Sequence, residues 1–355
     1  MSGNPGASPS RDPLLGALAA LAHGERLGEQ RVAEAVALLV RGDAPPEQAA
    51  AFLMGLRVQG EEGAEIAGAA RALRAAMRPV AAPDGVPLVD TAGTGGGRIG
   101  TFNVSTAAAF VAAGAGARVA KHGNRSYTSR CGSADVLEAL GIDLAHQADH
   151  AARVLRDVGM VFLFAPAFHP AMRFVAPVRR SIAVPTVMNL VGPLVNPAGV
   201  RRQVVGVADL GRAPAMADAL RRLGTAHALV VHGEAGMDEI SPRGATRVWE
   251  VRGNEVRAWT IEAAGFDVGG EDLSALAGGA PAENAARIDA LLRTPAADPV
   301  GRSATVLNAG AALYVAGAAG TLRDGVRRAS DALADGSGWR VLDALRRSSP
   351  ISTGG

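Results

Sequence analysis

The stretch Val86-Pro87-Leu88-Val89-Asp90 runs straight into Thr91-Ala92-Gly93-Thr94-Gly95-Gly96-Gly97-Arg98-Ile99-Gly100-Thr101, and then into the Ala-rich run from Phe102 to Ala113. A short apolar strand, a glycine turn free to take left-handed backbone and a helix make one β–turn–α unit. The same alternation repeats on its C-terminal side. Residues 117–120 read as a strand, and Ser133 to Leu140 as a helix closed by Gly141. Met160 to Phe164, Gln203 to Val207 and Ala228 to Val231 read as further buried strands with helices between them. Arg247 to Val251 and Glu255 to Ile261 flank Gly253-Asn254 and read as a hairpin. Uninterrupted apolar strands alternating with helices predict a mostly parallel sheet covered on both faces. Upstream, residues 13–79 carry only the helical period: Leu14, Leu18 and Leu21 share one face, Val32, Val36, Leu38 and Leu39 continue it, Phe52, Leu53 and Leu56 point inward on the next helix, and Ile66 and Leu73 mark a fourth. Residues 283–348 return to helix. The expected class is α/β: a small all-α domain, 13–80, plus a larger α/β domain, 84–348, with a mostly parallel central sheet. Residues 1–12, rich in Ser, Gly and Pro, are expected as a disordered tail.

Composition narrows the function. The chain has 355 residues, 48% hydrophobic and 20% charged, which excludes wholesale disorder. Its 36 basic and 34 acidic residues leave a formal net charge of +2, which argues against a dedicated nucleic-acid binder. One cysteine, Cys131, permits no intrachain disulfide and no cysteine-rich zinc site, so a reducing cytosol is the expected setting. No apolar run reaches the roughly 18 residues a membrane span needs. The run from Leu14 to Ala22 superficially resembles a signal peptide, but Asp12 beside it and Glu25, Glu29 and Glu34 after it read as a first amphipathic helix. Of the basic residues all but Lys121 are Arg. A chain that uses guanidinium everywhere else and keeps one ammonium group points to a place where a compact point charge is needed.

Two loops carry the chemistry. In the first, Gly93, Gly95, Gly96 and Gly97 let successive amides turn into one concavity, and Asn103, Ser105 and Thr106 open the next helix, so the segment reads as a phosphate cradle. It lacks the Gly-Lys-Ser/Thr ending of a Walker A loop. It also lacks the acidic partner of a dinucleotide fingerprint, since the next strand ends in Lys121. The second loop, from Lys121-His122-Gly123-Asn124-Arg125 to Ser133, brings three cationic side chains and the hydroxyls of Ser126, Thr128, Ser129 and Ser133. Ligands of open α/β sheets sit at the carboxyl ends of strands, so both loops face one rim and suit a substrate with two separate phosphate groups. Asp238-Glu239, after the strand ending at Val231, places two carboxylates where Mg²⁺ with phosphate oxygens would suit them.

These residues resemble the anthranilate phosphoribosyltransferases. The resemblance lies in Gly93-Thr94-Gly95-Gly96, Thr101-Phe102-Asn103-Val104-Ser105-Thr106, Lys121-His122-Gly123-Asn124-Arg125 and Gly132-Ser133-Ala134-Asp135. It continues in His169-Pro170-Ala171-Met172, Val178-Arg179-Arg180, Gly192-Pro193-Leu194 and Asp238-Glu239, and spans about residue 14 to 333. It implies transfer of a phosphoribosyl group from phosphoribosyl pyrophosphate (PRPP) to the amine of anthranilate, with a homodimer built on the helical domain and no membrane or nucleic-acid partner. It also implies that a mid-chain helical segment near 170–183 joins the N-terminal helices. The PRPP contacts it implies are Gly93, Thr94, Gly95, Gly96, Gly97, Thr101, Asn103, Val104, Ser105, Thr106, Lys121, His122, Gly123, Asn124, Arg125, Ser129 and Ser133. Anthranilate would meet Gly93, Asn124, His169, Arg179 and Pro193, with Arg179 on its carboxylate. Lys121, His122, Asn124 and Arg179 would carry the catalytic work. Two Mg²⁺ ions would take Ser105, Asp238 and Glu239.

The chain departs from the pattern at several places. Gly97 stands where the family usually has Asp, which puts the second Mg²⁺ site in doubt. Tyr127 and Thr128 replace small residues, Met188 stands where Phe is common, and Gln59 replaces an expected Lys. The alternatives are a phosphoribosyltransferase or nucleoside phosphorylase with another aromatic acceptor, and a non-catalytic nucleic-acid-binding paralogue.

Overall fold

A computed structural model describes residues 12–83, 85–126, 130–145, 147–268 and 272–350. The chain opens with four helices: α1 (Pro13–Ala22), α2 (Gly28–Arg41), α3 (Pro46–Gln59) and α4 (Gly63–Ala76). Asp12, assigned from sequence to the tail, is instead the N-cap of α1: its Oδ1 accepts the Leu14 amide at 2.8 Å, and Pro13 supplies a preset first-turn φ. Residues 1–11 lie outside the described part. α4 begins with a capping box between Glu62 and Glu65. α2 and α4 pack so closely that a β-carbon on Gly68 would run into the Glu29 carbonyl, so only glycine fits that crossing. Val32, Val36, Phe52, Leu53, Leu56 and Ile66 are fully buried between these helices, as their spacing requires.

The α/β part follows as β1 (Leu88–Gly93), α5 (Val104–Gly114), β2 (Arg118–Gly123), α6 (Ser133–Ala139), α7 (Ala148–Val158) and β3 (Met160–Phe164). Next come α8 (Ala165–Phe168), α9 (Met172–Ile182), α10 (Val187–Leu190), β4 (Arg202–Gly206), α11 (Ala213–Arg222), β5 (His227–Gly233), β6 (Ala245–Arg252) and β7 (Glu255–Glu262). Four helices close it: α12 (Pro281–Arg293), α13 (Pro299–Ala316), α14 (Leu322–Ala334) and α15 (Ser337–Ser348). The sheet order is β3-β2-β1-β4-β5-β6-β7, parallel through β5, with the β6–β7 hairpin added antiparallel. One apolar cluster fills the face under α5, α7 and α12 to α15; the other lies under α10, α11 and the N-terminal helices. Val175 and Val178 of α9 belong to that second cluster, and α9 packs on α2 and α3. Among the described residues no helix is long and apolar enough to cross a membrane.

β1, β2 and β5 each run more than one residue past the ends read from sequence, and the differences matter. β1 continues to Gly93 rather than stopping at Asp90, and β2 continues through Lys121, His122 and Gly123 rather than stopping at Ala120. β5 runs on to Gly233. Polar residues broke the apolar runs, but the parallel ladder carries on across them: Lys121 pairs with Phe162 and His122 with Leu163. Chain direction reverses its walk across the sheet between β1 and β4, and that switch point is where open α/β sheets bind ligands.

Candidate active site

Because Lys121 and His122 are consecutive residues of a strand, their side chains leave opposite faces of the sheet. On one face the Lys121 ammonium is almost completely buried, with 2% exposure. It donates to the Thr91 carbonyl, and to Thr91 Oγ1 and Ser105 Oγ at 3.3 Å each. Burial pulls its pKa down to about 8, against the opposing fields of Asp90 and Glu239. The glycine-rich loop approaches from β1 and closes on Asp238. The Gly95 amide hydrogen-bonds the Asp238 carboxylate. A β-carbon on Gly93 would lie 3.1 Å from Asp238 Oδ2, and one on Gly97 would lie 2.8 Å from Oδ1. The turn after β5 thus seats its carboxylate inside the glycine nest.

Glu239 lies deeper. Its Oε1 accepts from Thr101 Oγ1 at 3.1 Å, and its Oε2 is buried with no hydrogen-bond partner. Burial raises its pKa to about 8, Asp238 adds to the rise, and Thr101, the Ser105 amide and Lys121 oppose it. Burial likewise raises Asp238. A small, partly open cavity of about 40 Å³ is bounded by Thr91, Gly93, Ser105, Gly206, Asp238 and Glu239. Among the described residues no three His, Cys, Asp or Glu side chains converge on a metal. The protein offers two carboxylates and the Ser105 hydroxyl, all oxygen donors, one of them unsatisfied. That set fits a hard cation which takes its remaining ligands from phosphate and water.

On the opposite face His122 Nδ1 lies 3.1 Å from the Gly192 carbonyl, and its ring stands 5.1 Å from that of His169 at a 54° tilt. The Nε2 atoms of both rings are buried without partners. Burial pushes His122 down to about 3 and His169 to about 4, so both are neutral at pH 7. The turn Gly192–Leu194 carries Pro193, whose carbonyl accepts from Gln203 Nε2 at 2.6 Å. Asp90, fully buried between the two halves, accepts the His122 amide at 3.2 Å and Asn196 Nδ2 at 2.8 Å.

The remaining expected residues divide clearly. Thr94 is fixed by its amide on the Gly206 carbonyl and its hydroxyl under the Ala208 amide. Asn103 is the N-cap of α5, in left-handed backbone at φ 67°. Thr106 is fully buried with its amide on the Asn103 carbonyl, and Val104 is fully buried, so in this conformation neither side chain reaches the rim. Asn124 is exposed and bonds the Arg125 amide; the Ser133 hydroxyl returns to the Asn124 carbonyl at 3.4 Å. Arg125 is turned onto α6, to Asp135 at 3.0 Å and Glu138 at 2.6 Å. Arg179 is half-buried on the last turn of α9, ahead of the left-handed Ala183. Tyr127, Thr128 and Ser129 lie outside the described residues. Sequence reading missed Thr91, Asp90 and Gln203 as supports. The only local signal for them was polarity inside otherwise apolar strands.

Comparison with known proteins follows the same division of the chain. The glycosyl transferase family, a/b domain, matches residues 85–339, and its helical bundle domain matches residues 16–77. An anthranilate phosphoribosyltransferase of Roseiflexus sp. (strain RS-1) is 46% identical over 348 residues, 98% of this chain and 99% of the relative. That of Rubrobacter xylanophilus is 50% identical over 283 residues, 80% and 82% of the two chains. Among solved structures, the anthranilate phosphoribosyltransferase of Thermus thermophilus is 43% identical, with a TM-score of 0.88 over 94% of this chain and 98% of that one. The Saccharomyces cerevisiae enzyme in complex with PRPP and Mg is 27% identical, with a TM-score of 0.85 over 96% and 98%.

Proposed function

We propose that this chain, which belongs to the anthranilate phosphoribosyltransferase family, transfers the phosphoribosyl group of PRPP to the amine of anthranilate, releasing pyrophosphate. The observation that carries this reading is the division of the β2 tip, with Lys121 on a carboxylate- and hydroxyl-lined face and His122 on a second face with His169. A transfer between two substrates needs two such sides meeting at one point.

On the first side we assign PRPP to the glycine loop, Asn103, Ser105 and the Lys121–Ser133 loop. The lone ammonium, buried among three acceptors, is a fixed positive charge that needs no rearrangement when pyrophosphate departs. Asp238, Glu239 and Ser105 would hold Mg²⁺, and the unpartnered Glu239 Oε2 supports that fit. When bound, the metal supplies charge neutralisation on the leaving pyrophosphate. We assign two ions, the one near residue 97 being the weaker because glycine brings no carboxylate there.

On the second side anthranilate would lie along the Pro193 turn, with Arg179 on its carboxylate and Asn124 and Gly93 at its amine end. The aryl amine is neutral and can attack C1′ directly. An imidazole held at about 3 is a poor base, so His122 orients the amine through its free Nε2, and the proton leaves after the bond forms. We further assign a cytosolic homodimer; exposed Leu15 and Val58 on α1 and α3 and Phe174 on α9 support a helix-side contact.

The test is pyrophosphate release from PRPP and Mg²⁺ with and without anthranilate. Release that depends on anthranilate supports the reading; release with no such dependence overturns it.

A further inference from the structure

Residues 276–280 form a strap lying antiparallel on the outgoing limb of the glycine-rich loop. The Phe102 amide donates to the Leu276 carbonyl at 3.1 Å and the Gly278 amide to the Gly100 carbonyl at 2.9 Å, with Thr101 and Ala277 facing each other between them. A β-carbon on Gly278 would strike the Thr101 carbonyl. α12 starts just beyond the strap, and its Asn284 turns back beneath it with 3% exposure. Asn284 Oδ1 accepts the Gly279 amide at 2.7 Å, and its Nδ2 donates to Asn103 Oδ1 at 2.9 Å. Asn103 Nδ2 in turn donates to the Cys131 carbonyl at 3.1 Å, and Asn284 also hydrogen-bonds the Cys131 thiol.

The order of these links is forced. A backbone amide only donates, so the Asn284 carbonyl must face Gly279 and its NH₂ must face Asn103. A backbone carbonyl only accepts, so the Asn103 NH₂ must face Cys131, leaving its oxygen to find a donor. Asn284 is that donor. Asn103 is the residue from which α5 and its N-terminal amides start, and Cys131 belongs to the loop after β2. One side chain from α12, 181 positions from Asn103 in sequence, therefore sets how the two loops stand relative to each other.

We propose that Asn284 is a positioning residue for the phosphosugar, fixing the orientation of the Asn103 amide and thereby the separation of the glycine-rich and basic loops. This rests on the reading of the rim as the PRPP site. Direct binding of PRPP with Mg²⁺ tests it, measured by calorimetry on the full-length chain and on Asn284→Asp, Asn284→Ala, Asn103→Ala and the Asn103→Ala/Asn284→Ala double variant. Asp at 284 keeps an acceptor for Gly279 and offers no hydrogen to Asn103. It is expected to weaken PRPP about tenfold, the loss of one such buried bond, while the anthranilate KM stays within about twofold. The double variant is expected to bind no worse than Asn103→Ala alone, because both changes break one link. Wild-type PRPP affinity in Asn284→Asp, equal weakening toward both substrates, or effects that multiply in the double variant each overturn the proposal. If Asn284→Asp does not fold, the comparison of the double variant with Asn103→Ala decides in the same way. A wild-type chain that does not bind PRPP overturns the rim reading first and the proposal with it, and that outcome is seen before any substitution is made.

Discussion

Replacing Lys121 with Met separates what the buried ammonium does for folding from what it does for chemistry. Methionine has nearly the length and volume of the lysine stem and no charge. Burial lowers the Lys121 pKa from 10.5 to about 8, which corresponds to about 3 kcal/mol by which the fold disfavours the charged form. Between pH 8 and 10.5 the unfolded chain holds the proton and the folded chain has lost it, so stability rises with pH across that window and the full cost is present at pH 7. Removing the charge relieves that cost. It also leaves the Thr91 carbonyl without its donor, about 1–2 kcal/mol in the other direction. Lys121→Met should therefore be roughly 1–2 kcal/mol more stable than wild type at pH 7, and the advantage should disappear by about pH 10. If Lys121 is the fixed positive charge for the departing pyrophosphate, kcat/KM should fall about 100-fold or more. Thermal melts at pH 7 and 10, with the pyrophosphate-release assay, read both quantities. A variant that melts far below wild type would show that the buried charge does not burden the fold, and one that keeps kcat/KM within tenfold would show that the ammonium does not serve the departing pyrophosphate.

Acid should weaken the fold through His122 and His169. Both are held below the ordinary 6.5, at about 3 and about 4, so the unfolded chain takes up protons that the folded chain refuses as pH drops below 6.5. The loss is roughly 2 kcal/mol for each ring by pH 5, and melts of His122→Asn/His169→Asn should be flatter in pH than wild type by that amount. Equal slopes would show that the rings are not buried neutral. Arg179→Ala should raise the anthranilate KM at least tenfold and leave PRPP affinity within about twofold; equal effects would remove Arg179 from the acceptor side. Gly97→Asp places a carboxylate against Asp238, whose Oδ1 would lie 2.8 Å from the new β-carbon. It should change the Mg²⁺ titration of activity, and an unaltered titration would show that the glycine loop is not beside the ions.

The parallel part of the sheet was legible because its strands carry short apolar runs buried on both faces, and glycines mark where the chain leaves β1 and β5. The N-terminal helices were legible from their apolar period, whereas the Asp12 cap of α1 and the Glu62–Glu65 box of α4 came only with the structure. What sequence misplaced was the strand tip. Lys121 and His122 look like the start of a loop, and only the ladder to Phe162 and Leu163 puts them in the sheet and hence on opposite faces. Their burial is a local violation of hydrophobic patterning, of the kind proteins reserve for functional sites. The orientation of Arg125 was equally hidden, since its partners Asp135 and Glu138 lie on a helix whose angle to the loop no local pattern encodes. Asn284 carried no signal at all, because an Asn near a helix start is ordinary and its partner belongs to a distant segment. Asp90 was visible as a strand residue, but its bond to Asn196 appears only once α10 and the turn after it fold onto the sheet.

The most direct measurement is a crystal structure of the chain with PRPP, Mg²⁺ and an unreactive anthranilate analogue. Phosphate density is expected between the glycine loop and Lys121, metal on Asp238 and Glu239, and the aromatic ring on the His122 side of β2. Phosphates bound away from Lys121, or both ligands on one face of the strand, would contradict that arrangement.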